Sequence, residues 1–129
     1  LKAALKYAPE VTVLRRFDHF AVGVASGVVD MFSAFEDGSA MWTGEGPRLE
    51  RREVRFSEPF VEPPSVQVSM VMWDIGANAN QRADLRAAEV SRDGFQIEFR
   101  TWGDTRVARV RASWMAIGPL RHNDDFEDD

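Results

Sequence analysis

The sequence predicts an all-β protein, a six-stranded antiparallel β-sandwich with a short N-terminal helical or extended segment. Three observations predict it. Runs of apolar and polar residues alternate with period two, the signature of strands whose successive side chains face opposite sides. Turn clusters rich in Gly, Pro and Asp separate these runs at regular spacing. The chain is 129 residues long, the size of one domain, and enough to bury roughly two thirds of its unfolded surface.

The elements follow in order. Leu1, Ala4, Leu5 and Ala8 recur at helical spacing until Pro9 stops the helix. This stub reads either as a terminal helix docked on the domain or as the end of an oligomerisation stalk. In the first strand Phe20, Val22 and Val24 alternate with Ala21, Gly23 and Ala25, and the small residues suit close packing. Ser33 to Pro47 reads as a loop with two turn clusters flanking Trp42. Glu53 to Ser57 is the second strand, with Val54 and Phe56 on one face, and Pro59, Pro63 and Pro64 end it. Ser65 to Trp73 sets Val66, Val68, Met70 and Met72 against Ser65, Gln67 and Ser69. Arg82 to Ser91 would also tolerate a helix, and its neighbours make it a strand. Arg92-Asp93-Gly94 is a turn, after which Phe95, Ile97 and Phe99 point inward. Thr105 to Ile117 closes the domain with Ala108, Val110, Ala112, Trp114 and Ala116 inward. Gly103-Asp104 is expected to turn this last pair into a hairpin, placing Glu98 opposite Arg109 or, with a longer loop, Arg111. The organisation expected is thus an N-terminal segment (1–20), a sandwich (21–118) and an acidic disordered tail (119–129).

Composition excludes several function classes. With 16 basic and 21 acidic side chains, the net charge of −5 opposes broad binding to a phosphate backbone. The absence of cysteine removes disulfides and thiolate chemistry. No run of 18 apolar residues spans a bilayer, and the N-terminal apolar stretch is too short for a signal peptide. His19 and His122 are the only histidines, and neither sits in a triad, metal or phosphate-loop motif. Neither an enzyme nor a metal or cofactor site is expected. Trp102 is the informative residue. It shares parity with Gln96, Glu98 and Arg100, so it faces out at the mouth of a turn. There its ring can stack on the apolar face of a pyranose, or else cover a sheet edge or a subunit contact. The outward arginines Arg82, Arg86, Arg100, Arg106, Arg109 and Arg111 form either a solvated face or ladders with Glu50, Glu53, Glu89 and Glu98.

The second half follows a longer pattern. Val54-Arg55-Phe56, Pro59-Phe60, Pro63-Pro64-Ser65-Val66 and Val68-Ser69 lead to Asp74, Arg82, Ser91 and Asp93-Gly94-Phe95. Thr101-Trp102-Gly103-Asp104-Thr105-Arg106-Val107 and Ser113-Trp114-Met115-Ala116-Ile117-Gly118 complete it. From about Arg51 to Gly118 this resembles the H-type lectin domain of snail agglutinins and slime-mould discoidins. The resemblance implies a six-stranded sandwich that assembles as a trimer and binds galactose or N-acetylgalactosamine near subunit boundaries without catalysis. It implies that Arg82 and Trp102 are sugar contacts, and that the acidic loop ahead of the Val-Arg-Phe strand falls on Met41 to Glu45, where Glu45 keeps the carboxylate. Gly103 stands where the best-known members have a histidine, and Ala108 where they have a tyrosine.

The reading is therefore a carbohydrate-binding, trimeric module acting on a cell-surface or polysaccharide glycan, outside the cell or on a phage-like particle. Its expected site joins Arg82, Trp102 and Gly103 to Thr43 and Glu45, with Gly103 opening the pocket and Arg82 favouring an acidic sugar. The alternative is a structural trimerisation or attachment module of a fibre, spike or larger surface protein whose sugar site is lost. No nucleic acid, membrane insertion or cofactor is expected.

Overall fold

The computed structural model describes residues 13–34 and 38–122. The helical stub at Leu1–Ala8 and most of the acidic tail lie outside these residues. Six strands and one helical turn follow the chain: β1 (Ala21–Ser33), α1 (Ala40–Thr43), β2 (Arg48–Arg55), β3 (Ser65–Ile75), β4 (Asp84–Ala88), β5 (Gly94–Thr101) and β6 (Val107–Leu120). They form two antiparallel three-stranded sheets, ordered β1-β6-β3 and β2-β5-β4. The predicted sandwich is the observed architecture. Its core lies between the sheets, where Phe95, Ile97 and Phe99 of β5 meet Val110 and Ala112 of β6 and Met31 and Phe32 of β1. Phe56, Phe60, Phe95 and Trp114 stack at one end, with ring centroids 5.0–5.9 Å apart.

Several boundaries differ from expectation for physical reasons. β2 begins at Arg48 rather than Glu53, because its charged residues Glu50 and Arg52 sit at a sheet edge where both faces tolerate charge. The loop expected at Ser33–Pro47 contains the single turn α1. A bulge between Met70 and Met72 reverses the parity of β3, so Met72 pairs with outward Arg111 instead of facing the core. β4 is short, and Glu89 beyond it takes a left-handed φ of 55°. β6 continues through Gly118 and Pro119 to Leu120.

The expected β5–β6 hairpin does not exist. β5 and β6 belong to different sheets, and residues 102–106 carry the chain across between them. Glu98 faces neither Arg109 nor Arg111. It lies opposite Arg51 of β2 and Arg86 of β4, while Arg109 pairs with Asp74 and Arg111 with Asp30. Both edges of β5 are already occupied, so β6 has no place beside it. Among the described residues the β4–β5 link is the one hairpin. It turns on Ser91, whose hydroxyl donates to the Gly94 carbonyl and whose N–H does the same at 2.8 Å.

β1 presents Gly23, Gly27 and Val29 to the interior and Val22, Val24 and Val28 to the outside. A Cβ at Gly27 would lie 2.7 Å from the Trp114 indole nitrogen, and one at Gly23 would collide with Leu120. The bulky β6 side chains thus lie across the bare backbone of β1. Val22, Val24 and Val28 are left 58–63% exposed.

Candidate functional site

The expected site residues gather where the β1–β2 link meets the β5–β6 crossover. Two glycines join these segments: Gly46 N–H donates to the Gly103 carbonyl at 2.9 Å. Both residues have left-handed φ, 74° and 68°, which is why glycine occupies both positions. Beneath this ridge lies Arg48, a buried side chain that sequence reading passed over. It donates to the carbonyls of Gly46 (2.9 Å), Gly103 (3.0 Å), Met41 (3.2 Å) and Ala40 (3.3 Å). One guanidinium therefore ties α1, the Gly46 loop and the Gly103 turn together, in keeping with its five donors in a planar fork. No sequence signal marked it, since Arg48 resembles the charged residues that follow it in β2.

Arg82 is held from both sides by buried threonines. Its N–H donates to Thr105 Oγ1 at 3.1 Å, and its carbonyl accepts from Thr101 Oγ1 at 2.6 Å. Thr105 Oγ1 also donates to the Asn80 carbonyl, which fixes the loop leading to Arg82. The Arg82 guanidinium pairs with Asp104 at 2.7 Å. It also fills the room beside Gly103: a Cβ there would lie 3.0 Å from Arg82 Nη1. The absent side chain at Gly103 thus makes space for the arginine rather than an open pocket.

Depressions lie on the two sides of the Gly46–Gly103 ridge. One, of about 750 Å³, is lined by Trp102, Arg100, Asp84, Leu49 and Arg48. Trp102 is 45% exposed, as its strand parity required. Arg100 there is paired with Asp84 at 3.0 Å. The other, of about 370 Å³, is lined by Glu45, Trp42, Asp104, Arg106 and the 76–79 loop. The fold thus brings Arg82 and Gly103 into contact, and sets Trp102 and Glu45 on opposite sides of the ridge. Thr43 lines neither depression, and its hydroxyl donates to the Ser39 carbonyl at 3.1 Å. His19 and His122 are exposed.

Away from this region, Glu98 is 5% exposed on the outer face of the β2-β5-β4 sheet. Arg51 bonds its carboxylate at 2.7 Å and Arg86 at 2.9 Å. The Arg51 hydrogen bond, then that of Arg86, holds the Glu98 carboxyl below the usual carboxylate range, against the opposing effect of burial.

A sandwich of this strand order sets an exposed tryptophan one residue from the turn that packs on a fixed arginine. The chain belongs to the H-type lectin domain family, which it matches over residues 51–117. It is 51% identical over 107 residues to a Fuscovulum blasticum protein named ATP synthase subunits region ORF 7. That match covers 83% of this chain and 93% of the relative. Two structures of discoidin II from Dictyostelium discoideum share the fold, with TM-scores of 0.68 and 0.62 at 22% and 21% identity. They cover 81% and 84% of this chain, which spans about two fifths of the discoidin II chain (40% and 41%). The class of protein is thus a lectin-like carbohydrate-binding module.

Proposed function

We propose that this protein is a homotrimeric lectin that binds a galactose-like, N-acetylgalactosamine-like or acidic glycan at the Trp102–Gly103 turn. The observation that carries the reading is the exposed Trp102 indole at a depression of about 750 Å³, next to the Arg82–Asp104 pair. A pyranose stacks its apolar face on the indole. Its hydroxyls accept from the guanidinium and donate to carboxylates, and a site offering both kinds of partner discriminates epimers. Glu45 extends the polar rim across the ridge, and Thr43, bonded to the Ser39 carbonyl, steadies the segment that carries it. One such site is worth about 4 kcal/mol, a millimolar affinity, and three on one trimer multiply it. The setting that suits this strength is multivalent adhesion at a cell, polysaccharide or particle surface. In this reading residues 21–118 form the sugar-binding domain, and residues 1–20 join it to a stalk or linker.

The trimer reading draws on the outer face of the β1-β6-β3 sheet. Val22, Val24, Val28, Met115 and Ile117 are all exposed there. Val24 lies opposite Ile117, and Ser26, Ser113 and Gln67 are interspersed, so the face offers exposed apolar groups with polar partners between them, as interaction surfaces do.

The test is a glycan array on the purified protein, followed by titration of Trp102→Ala and Arg82→Ala against the selected glycan. Both substitutions are expected to weaken binding at least tenfold with the oligomer intact. Unchanged binding in both would place the site elsewhere, and silence of the intact trimer on the array would favour the structural trimerisation module.

A further inference from the structure

We propose that the depression walled by Trp42 is a second saccharide subsite, so that the ligand is an oligosaccharide of at least two residues lying across the Gly46–Gly103 ridge. This rests on the glycan-binding reading of Trp102 above.

Three features of the depression suit a sugar ring. Trp42 supplies an aromatic wall, placed at van der Waals distance from Gly76, where an added Cβ would lie 3.8 Å from its ring. Arg106 is held by its backbone, since Gly76 N–H donates to its carbonyl at 2.8 Å, yet its exposed guanidinium makes no ion pair among the described residues. Glu45 on the same wall is likewise exposed and unpaired among them. A hexose needs donors and acceptors that are not already satisfied. Across the ridge each arginine gives one nitrogen to a carboxylate, Arg82 to Asp104 and Arg100 to Asp84, and keeps its other donors for sugar hydroxyls. The charged side chains with no ion pair among the described residues, Arg106 and Glu45, are on the Trp42 side.

The ridge itself is built to be crossed. Trp102 and Asp104, which line different depressions, are two residues apart, so their Cα atoms are separated by at most ~7 Å. The segment between them is Gly103, and Gly46 runs beside it; neither bears a side chain. A glycosidic linkage can therefore pass over Gly46, where an added Cβ would meet nothing within 4 Å, and past the Arg82 guanidinium beside Gly103, with one residue on Trp102 and the next in the depression walled by Trp42. A charged sugar would find the Arg106 guanidinium in the second position.

The experiment follows the indole N–H signals of the four tryptophans by NMR in the protein of residues 1–129. The probes are galactose, galactobiose and galactotriose, and galacturonic acid with its dimer and trimer. The monosaccharides are expected to shift Trp102 first, and the longer ligands to shift Trp42 as well. Affinity should rise about tenfold from one residue to three, a gain of about 1.4 kcal/mol. Arg106→Ala and Trp42→Ala should each shrink that ratio to within about twofold. The exposed Arg106 keeps the test valid should Trp42→Ala fail to fold. A Trp102 signal that responds to every ligand while Trp42 stays still and the ratio stays flat would overturn the second subsite alone. A response of Trp42 without Trp102 would keep the subsite and remove the Trp102 platform. Silence of both tryptophans with all six ligands would overturn the proposal.

Discussion

Arg48 is 9% exposed and has no carboxylate partner among the described residues, so its place in the fold depends on four carbonyl oxygens. Two of these acceptors keep another donor when the guanidinium is removed: Gly103 retains Gly46 N–H, and Ala40 retains Gly44 N–H. The carbonyls of Met41 and Gly46 would lose theirs. Stranding buried acceptors costs about 1–3 kcal/mol each, so Arg48→Met should destabilise by about 2–6 kcal/mol in chemical denaturation. It should also weaken glycan binding, because the ridge between the depressions loses its tie. The two conspicuous tryptophans are expected to behave oppositely. Trp114 packs on Phe95 at 5.4 Å and on Phe56 at 5.9 Å, so Trp114→Ala should cost about 3–5 kcal/mol. Trp102→Ala, at an exposed turn, should stay within about 0.5 kcal/mol. Equal losses in the two melts would refute the strand parity that separates them.

Among the elements, β5 shows how a strand's neighbours decide the meaning of its polar face. Its inward residues are apolar, and its outward Glu98 sits between Arg51 and Arg86 on the flanking strands. This three-strand ladder gives a pH prediction whose sign is set by the lowered carboxyl. In the unfolded chain a glutamate titrates near about 4.3. In the folded protein Glu98 stays ionised to lower pH. Its stabilising contribution is therefore fully present above the unfolded value and is lost as pH falls through the folded one. The stability gap between the parent protein and Glu98→Gln, from urea melts, should be constant from pH 7 to about 5 and shrink below that. A gap independent of pH down to 3 would remove the ladder as its cause. The abundance of outward arginines was legible from period-two parity. Their partners were not, because parity assigns a face and leaves the neighbouring strand open.

At the scale of the whole molecule, the sandwich has two unlike outer faces. That of β2-β5-β4 is laced by charged pairs: Arg51 and Arg86 with Glu98, and Arg100 with Asp84. That of β1-β6-β3 is apolar around Val22, Val24 and Ile117 and charged farther along, where Asp30 meets Arg111 and Asp74 meets Arg109. A homotrimer assembled through the second face should bury well over ~1,200 Å² per interface pair. Light scattering at micromolar concentration should give three times the chain mass. Val24→Glu should shift the protein to monomer, because an unpaired carboxylate in a dry contact is costly. Its melting behaviour at high dilution should otherwise match the parent. A monomer mass for the parent protein would refute this assembly.

The sequence by itself determined the class of fold, the faces of most strands, the Arg92–Gly94 turn and the outward position of Trp102. All of these are local: alternation is a property of adjacent residues, and a turn is a property of four. Only the tertiary structure decided that β5 and β6 part into different sheets, that a bulge turns Met72 outward and that Arg48 is a buried tie. It also decided that Arg82 takes up the space left by Gly103 and that a glycine ridge separates Trp102 from Glu45. Each depends on which distant segments come to lie side by side. A period-two pattern is satisfied equally well by every register and neighbour that buries the same face, so the choice among them belongs to packing in three dimensions.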